Sequence, residues 1–558
     1  MKRSLWIFLA AVCVGCSSSN DDTVDEQVGT DNSADELVAA LSTITYDNLN
    51  AHLNYLAADE RRGRFTGSPE YLESAEYVAR QFDAIGLTPA GTDGWFQPVP
   101  FLANKHDVEN SGMVVHADGN DHGLAWKDDY VMSGDKVRPT TTVRAEVVFA
   151  GFGVHAPELG YSDYGNVDVS GKIVAIFDGS PASFPHNERA YFSSGRTKAE
   201  EAARRGAVGT IGLRSRAGQK RVPWPRITLN AGVIPGMSWL SPAGDASGYH
   251  PELQGRATLS VASAEELFDG TLLSFEESLD AADDGKPLTT PLGVEVTITQ
   301  ISDHVEASSP NVIAILPGSD PQLKNEYIIY SAHLDHVGVA APVDGDSIYN
   351  GFFDNAMGSA LLIETARAMA ALPVAPKRSI IFIAVTGEER GLLGSEYFTK
   401  YPTVDIDSIV ANVNLDMPLL LFPIADTVAF GAEHSSLKQP IAQAVAQEGF
   451  ELSPDPTPEE VRFVRSDQYS FVRQGIPSVF LVPGSKSLDP QIDGEAIVFD
   501  HRQNHYHKPS DDLSRPVDWD SALRFARANV RIGLAVAAEE QRPTWNTGDF
   551  FGDKFRRP

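Results

Sequence analysis

Tyr327-Ile328-Ile329-Tyr330-Ser331-Ala332-His333-Leu334-Asp335-His336 joins a short apolar run directly to two histidines and an aspartate. A run apolar on both faces is a strand covered by helices on each side, the mark of an α/β sheet. In such sheets ligands bind beyond the carboxyl ends of the strands. The polar residues that follow the run therefore stand where chemistry is expected.

Working outward, the same pattern recurs. Short, nearly unbroken apolar runs occupy 312–316, 380–385, 409–413 and 478–482, with helical spacing at 360–371 and 438–448. Run 380–385 leads into Thr386-Gly387-Glu388-Glu389, and run 409–413 leads into Asn414-Leu415-Asp416. Asp354-Asn355 precedes the 360–371 helix, and His505-Tyr506-His507 comes late, followed by Asp511. A lone histidine or a Glu-Glu pair has a bland explanation, but three strand ends and two loops carrying metal-capable groups do not share one. These residues predict a metal site.

Upstream, Leu49, Leu53, Leu56 and Ala57 lie on one helical face, and Ala75, Val78, Ala79 and Phe82 on another, with Gly86 as its stop. From about 112 to 283 the pattern becomes short alternating runs, such as 146–150 and 172–177, punctuated by Gly and Pro. One helical stretch lies near 198–205. This reads as a separate β-rich module.

The chain has 558 residues, enough for two or three domains. A net charge of −31 excludes nucleic acid and anionic lipid surfaces as expected partners. Lys2 and Arg3, an apolar run from Leu5 to Val14 and then Gly15-Cys16 read as a secretory signal with a lipoprotein processing site, although Cys13 departs from that pattern. An Ser-, Asn- and Asp-rich tether follows. The expectation is an exported protein of a bacterial envelope, anchored by a lipid on Cys16, or otherwise periplasmic or secreted. Cys13 and Cys16 are the only cysteines, so the mature domains have no thiol for a disulfide, a nucleophile or a metal. A metal must be held by His, Asp and Glu.

Two imidazoles and three carboxylates exceed one catalytic zinc, which keeps three protein ligands and an open position. They suit two ions if one carboxylate bridges, and imidazole donors favour zinc over magnesium, with manganese or cobalt as alternatives. Asp335 is expected to accept the second N–H of His333 and fix its tautomer. Glu388 and Glu389 point to opposite sides of an extended segment, one to ligate and one to act as base; spacing does not say which.

These motifs resemble metallopeptidase family 28, the co-catalytic zinc aminopeptidases. The likeness rests on His333 to His336, Asn350 to Ala356, Glu388 to Ser395, Asn414 to Asp416, Arg465-Ser466-Asp467 leading into Gly475 to Ser478, and Tyr506-His507. It implies one zinc on His333 and Asp416, another on Glu389 and His507, and Asp354 bridging. It implies Glu388 as general base to a water held between the ions, Tyr506 and Arg465 at the scissile carbonyl, and a cis peptide after Asp354. Phe352-Phe353 and Gln468 depart from the family's usual residues, the former suggesting an altered pocket floor. Gly151 to Val154, 161–168 and Gly171 to Val174 resemble the protease-associated domain inserted in many members, either walling the cleft or acting as a spacer.

The fold expected is therefore α/β, a zinc-peptidase-like mixed central sheet with helices on both faces plus an inserted β-rich protease-associated domain. The expected order is signal peptide 1–15, flexible tether 16–40, the N-terminal part of the peptidase domain 41–111, insert 112–285, peptidase domain with the metal site 286–545, and C-terminal tail 546–558. The activity implied is removal of amino-terminal residues from peptides. Competing readings are a carboxypeptidase of acidic peptides, which needs cationic groups in the pocket that sequence does not place, a glutaminyl-cyclase-like acyltransferase, and a non-catalytic binding protein. Retention of all five ligands and Glu388 argues against the last two.

Overall fold

The run that ends in His333 forms the strand Tyr327–His333 at the middle of a mixed sheet. It lies parallel to Ser379–Val385 on one side and to Ile409–Leu415 on the other, and Ile409–Leu415 is parallel to Ser478–Pro483. The flanks are antiparallel: Thr289–Leu316 pairs with Ser379–Val385, and Asp426–Phe430 with Ser478–Pro483. The coordinates are a computed structural model describing residues 31–165 and 167–557. The signal sequence, Cys13, Cys16 and most of the tether lie outside the described residues.

Alternation along the central strands explains why they read as apolar throughout. Ile328, Tyr330 and Ala332 enter one core with Phe82, Leu361, Phe525 and Ile532, whereas Ile329 enters another with Phe398 and Phe471. The helices Pro69–Ile85, Gly358–Ala370 and Trp519–Ala538 thus cover one face, and Leu393–Lys400 and Gln468–Val472 the other. Burying each such large side chain contributes about 1.5–3 kcal/mol. Local signals set the helix ends. Ser68 accepts from the Tyr71 N–H, Pro69 occupies the first turn, and Gly86 closes the helix at φ 89°.

The insert differs from expectation in content and in boundary. Among its described residues six short helices occur rather than one, and its strands Thr140–Ala150, Ile173–Phe177, Gly209–Leu213 and Gly255–Leu259 pair in parallel. Its helices are too short for a strong periodic signal against so many glycines. One continuous strand, Thr289–Leu316, begins just past the expected boundary at 285 and serves both sheets. Residues 289–301 of that strand pair with Thr140–Ala150, while 302–312 pair with Phe96–His106. Conversely, Gly236–Trp239 leaves the insert to pair with Phe96–His106.

The stretch 546–558, expected as a tail, includes the helix Phe550–Lys554. Phe551 is buried among Phe430, Phe463 and Tyr469, so this end is part of the core. No helix among the described residues is long and apolar enough to cross a membrane.

Candidate metal centre

Strand register brings the first donors together. Ser331 is level with Asn414, so two residues further along each parallel strand His333 stands beside Asp416. His333 Nε2 is 3.0 Å from Asp416 Oδ1 and 3.2 Å from Asp354 Oδ1. The other oxygen of Asp354, Oδ2, lies 3.2 Å from His507 Nε2, which is 3.1 Å from Glu389 Oε2. The two oxygens of one carboxylate are thus directed at two different imidazoles. All five expected donors lie in one place, and the Asp354–Asn355 peptide is cis.

Two donor groups result, sharing Asp354: His333, Asp354 and Asp416, and His336, Asp354, Glu389 and His507. Donors at about 2.0–2.1 Å from a tetrahedral ion are about 3.3 Å apart, so separations of 3.0–3.2 Å fit zinc coordination. His336 was not expected among them. Its Nδ1 is 2.8 Å from Glu389 Oε1, its ring is fully buried, and its Nε2 has no hydrogen-bond partner among the described residues. Gly351, at φ 62°, leaves the room that ring occupies, since a Cβ there would collide with it. The signal was present in the sequence, three residues after His333, but a second histidine past a strand end has no fixed direction until the loop is known.

Asp335 acts differently from expectation. The backbone carbonyl of Asp335 accepts from His333 Nδ1 at 3.0 Å, while its carboxylate stands 4.0 Å from that nitrogen. The carboxylate instead accepts from the Glu388 and Glu389 N–H groups and from the Thr66 hydroxyl. The reason is geometric: two residues past the imidazole the chain has already turned, presenting the main-chain oxygen to the ring. Asp335 therefore positions the Glu388–Glu389 turn.

Other supports were also missed. Asp511 accepts from the Phe353 and Asp354 N–H groups at 3.1 Å each, and Ser466 donates to Asp416 Oδ2 at 2.6 Å. Arg64, fully buried, donates to the carbonyls of Leu334, Leu56, Asn350 and Gly351. It ties the amino-terminal segment to both metal-bearing loops. Phe352 and Phe353 are buried in the main core, not on a pocket floor. Gln468 holds the Phe463 carbonyl and accepts from Asn414.

The charges are strongly coupled. Burial pushes Glu388 well above the usual carboxylate range, with Asp416 and Asp467 adding to it against the opposing charge of His333. Burial disfavours charge on His507, but Glu389 and Asp354 outweigh it and raise its pKa to about 9. Burial likewise opposes ionisation of Glu389, yet His507 and His336 hold it well below its ordinary value. Protons on these imidazoles and divalent cations answer the same charge requirement, so cation binding releases the protons.

Comparison with known proteins agrees with this geometry. Residues 311–532 match the profile of Peptidase family M28. These residues belong to that family. A stretch of 112 residues is 34% identical to leupeptin-inactivating enzyme 1 of Streptomyces exfoliatus, covering 20% of this chain and 23% of that protein. A stretch of 286 residues is 26% identical to a probable zinc metalloprotease of Pyricularia oryzae, covering 45% and 54%. The aligned stretch thus spans under a quarter of the first of these curated relatives. The aminopeptidase structure from Aneurinibacillus sp. strain AM-1 superposes with a TM-score of 0.53 at 19% identity, covering 91% of this chain and 97% of that one, a likeness of fold.

In the M28 region the donor cluster opens into a cleft of ≈ 450 Å³ lined by Glu388, Arg465, Tyr506 and His507. Burial and then the charges of Asp354 and Glu389 push the Tyr506 hydroxyl well above its usual range, so it stays a hydrogen-bond donor. The insert lines the opposite side with Val222, Leu229, Asn230 and Ile234. It is a wall of the cleft rather than a remote spacer.

Proposed function

We propose that this chain is a zinc-dependent exopeptidase that removes amino-terminal residues from peptides, holding two ions through one shared carboxylate. The observation that carries this reading is the pair of Asp354 oxygens aimed at His333 and His507. His333 and Asp416 would hold one ion, Glu389 and His507 the other, with His336 as a further donor to the second. When bound, the ions supply electrophilic activation of water and of the scissile carbonyl.

The chain's own groups do the rest. Glu388, raised by its burial, takes a proton from water and delivers it to the leaving amine. Tyr506 and Arg465 donate to the carbonyl oxygen as it gains charge, each such donor typically contributing ~10²–10³ in turnover. The substrate's free amine would sit beside the donor carboxylates Asp354 and Asp416, which line the cleft. We assign the insert to the protease-associated type and the amino terminus to an exported lipoprotein, on the sequence motifs given above.

The test is a purified-protein assay with aminoacyl reporters and amino-terminally blocked peptides, each with and without chelator. Zinc-dependent cleavage of free-amine substrates alone is expected, with two zinc ions per chain by elemental analysis. Cleavage restricted to blocked peptides would reject the aminopeptidase reading. Glu388→Gln should lower turnover by ~10²–10⁴ with both ions retained.

A further inference from the structure

The insert's sheet has two unlike faces. Ile173, Ala175 and Phe177, with Ile211, Leu213 and Leu259 of the neighbouring strands, bury one face in an apolar core. On the other face Val174 and Ile176 pack with Ala202 and Ala203 of the helix Gly195–Arg204. Further across, that face turns polar: strand register sets Thr210 beside Arg256 and Gly212 beside Thr258. Over this polar half lies a cavity of ≈ 550 Å³, lined also by Asn104, His106 and the segment 230–236.

The cavity is rich in donors and poor in acids. Among the described residues no Asp or Glu lines it, in a chain with 76 acidic and 45 basic residues. Arg256 has no side-chain hydrogen bond and no ion pair among the described residues; Asp135, the carboxylate whose charge reaches it, is committed to Arg138 at 2.7 Å. Burial lowers the pKa of Arg256, a cost that a bound anion would offset. The helix Gly195–Arg204 presents its first turn through Gly195 and Lys198. Ser194 gives that helix no side-chain cap and its first turn holds no acidic residue, so its leading N–H groups lack a capping side chain. Lys198 contributes its stem, since its Nζ is held by the Phe177 and Gly179 carbonyls. His106 is buried against Trp126, and neither of its ring nitrogens has a partner among the described residues. Gly134 and Gly236 leave room for the Asn104 amide, whose oxygen a Cβ would meet at 3.1 and 2.6 Å.

One part of the lining is shared. Asn230 and Ile234 border this cavity and the metal cleft alike. Asn230 Oδ1 also accepts from the Ala341 N–H of the peptidase domain at 3.1 Å. The segment 230–236 therefore stands between the two spaces. We propose that the cavity is a second ligand site, taking a small organic anion whose charged head meets Arg256 and the start of the Gly195–Arg204 helix. Its volume falls within the range of about 300–1,000 Å³ usual for small-molecule sites. Val131, Met132 and Ile176 supply an apolar surface for the body of the ligand. The head is a carboxylate or a phosphate. A ligand there packs behind the cleft wall and steadies it, so that substrate meets a wall already ordered. That coupling rests on the hydrolase reading; the binding does not.

The experiment uses the zinc-loaded full chain with phenyl phosphate, phenylacetate and the uncharged phenylacetamide. By calorimetry at least one anion should bind about ten-fold or more tighter than phenylacetamide, the gain from a charge-assisted pair. Comparing the two anions identifies the head group. Because anions also meet the metal ions and Arg465, substitution assigns the site. Arg256→Gln should weaken the binding about ten-fold, Arg256→Lys should retain most of it, and Arg465→Gln should leave it unchanged. At one probe concentration the KM for an aminoacyl reporter should be about five-fold lower in the unsubstituted protein than in Arg256→Gln, the two being equal without probe. Equal affinity for all three probes, or anion binding that survives Arg256→Gln, overturns the site. So does an equal loss in Arg256→Gln and Arg256→Lys, which would mark a packing role. Binding lost in Arg256→Gln with KM unmoved keeps the site and overturns its coupling to the cleft. The expected binding in a chain that cleaves no reporter upholds the site and rejects the hydrolase reading.

Discussion

Two buried polar clusters in this molecule are built on opposite terms. In the insert, Asp163 accepts from the Phe152 and Val154 N–H groups at 3.0 Å and from the Tyr161 hydroxyl at 2.7 Å. Nearby, Lys198 Nζ donates to the carbonyls of Phe177 and Gly179. Each charge there is answered by the chain itself. At the strand ends of the peptidase sheet, Nε2 of His336 and both oxygens of Asp467 are buried without a hydrogen-bond partner among the described residues. Leaving such groups unpaired costs about 1–3 kcal/mol each. Self-satisfied charge holds a fold together, whereas unsatisfied buried charge is kept for something that binds.

The sharpest test removes the shared ligand. Asp354→Asn should reduce zinc from two ions per chain to below one and abolish measurable turnover. Asp163→Ala should do the reverse, destabilising the chain by about 3 kcal/mol in denaturant unfolding while leaving zinc content alone. A loss of zinc in that variant would erase the distinction between the clusters. His336→Ala should weaken the binding of one ion by ~10–100-fold in competition with a chelator, leaving the other unchanged. Unaltered affinity for both ions would remove His336 from the donor set.

The smallest effect is a pH dependence. Burial raises Asp163 to about 6, against the opposing hydrogen bonds from Tyr161 and the backbone. Between the unfolded value near 4 and about 6 the folded protein holds a proton that the unfolded chain does not, so this group adds stability as pH falls through that window. Unfolding of the unsubstituted protein and of Asp163→Asn should therefore shift against each other by about 2 kcal/mol between pH 7 and pH 4, in favour of the unsubstituted protein. A shift in the other direction would mean that the carboxylate form is the one the insert prefers.

Much of the peptidase sheet was legible because its signals are local. The apolar run at 327–330 and the stripe Ala75, Val78, Ala79 and Phe82 each encode one element, and the donors sit within a few residues of strand ends. The position of Asp335 was less legible, since the competition between its carboxylate and its own carbonyl for the His333 ring depends on a turn. Arg64 was invisible for a different reason. Its partners lie far along the chain, as with the Gly351 carbonyl, and a buried arginine and a surface one look alike in sequence. The insert's short helices gave too few turns to register against its glycines.

The strand Thr289–Leu316 crosses from the insert's sheet into the peptidase sheet without interruption. A beam fixed at both ends cannot be cut in the middle without dropping both spans. Excising the insert at 112 and 285 would strip the partner from residues 289–301 and expose a bare edge ready to pair with another chain. The two halves are thus a single mechanical piece, and the wall of the cleft moves only if that strand bends.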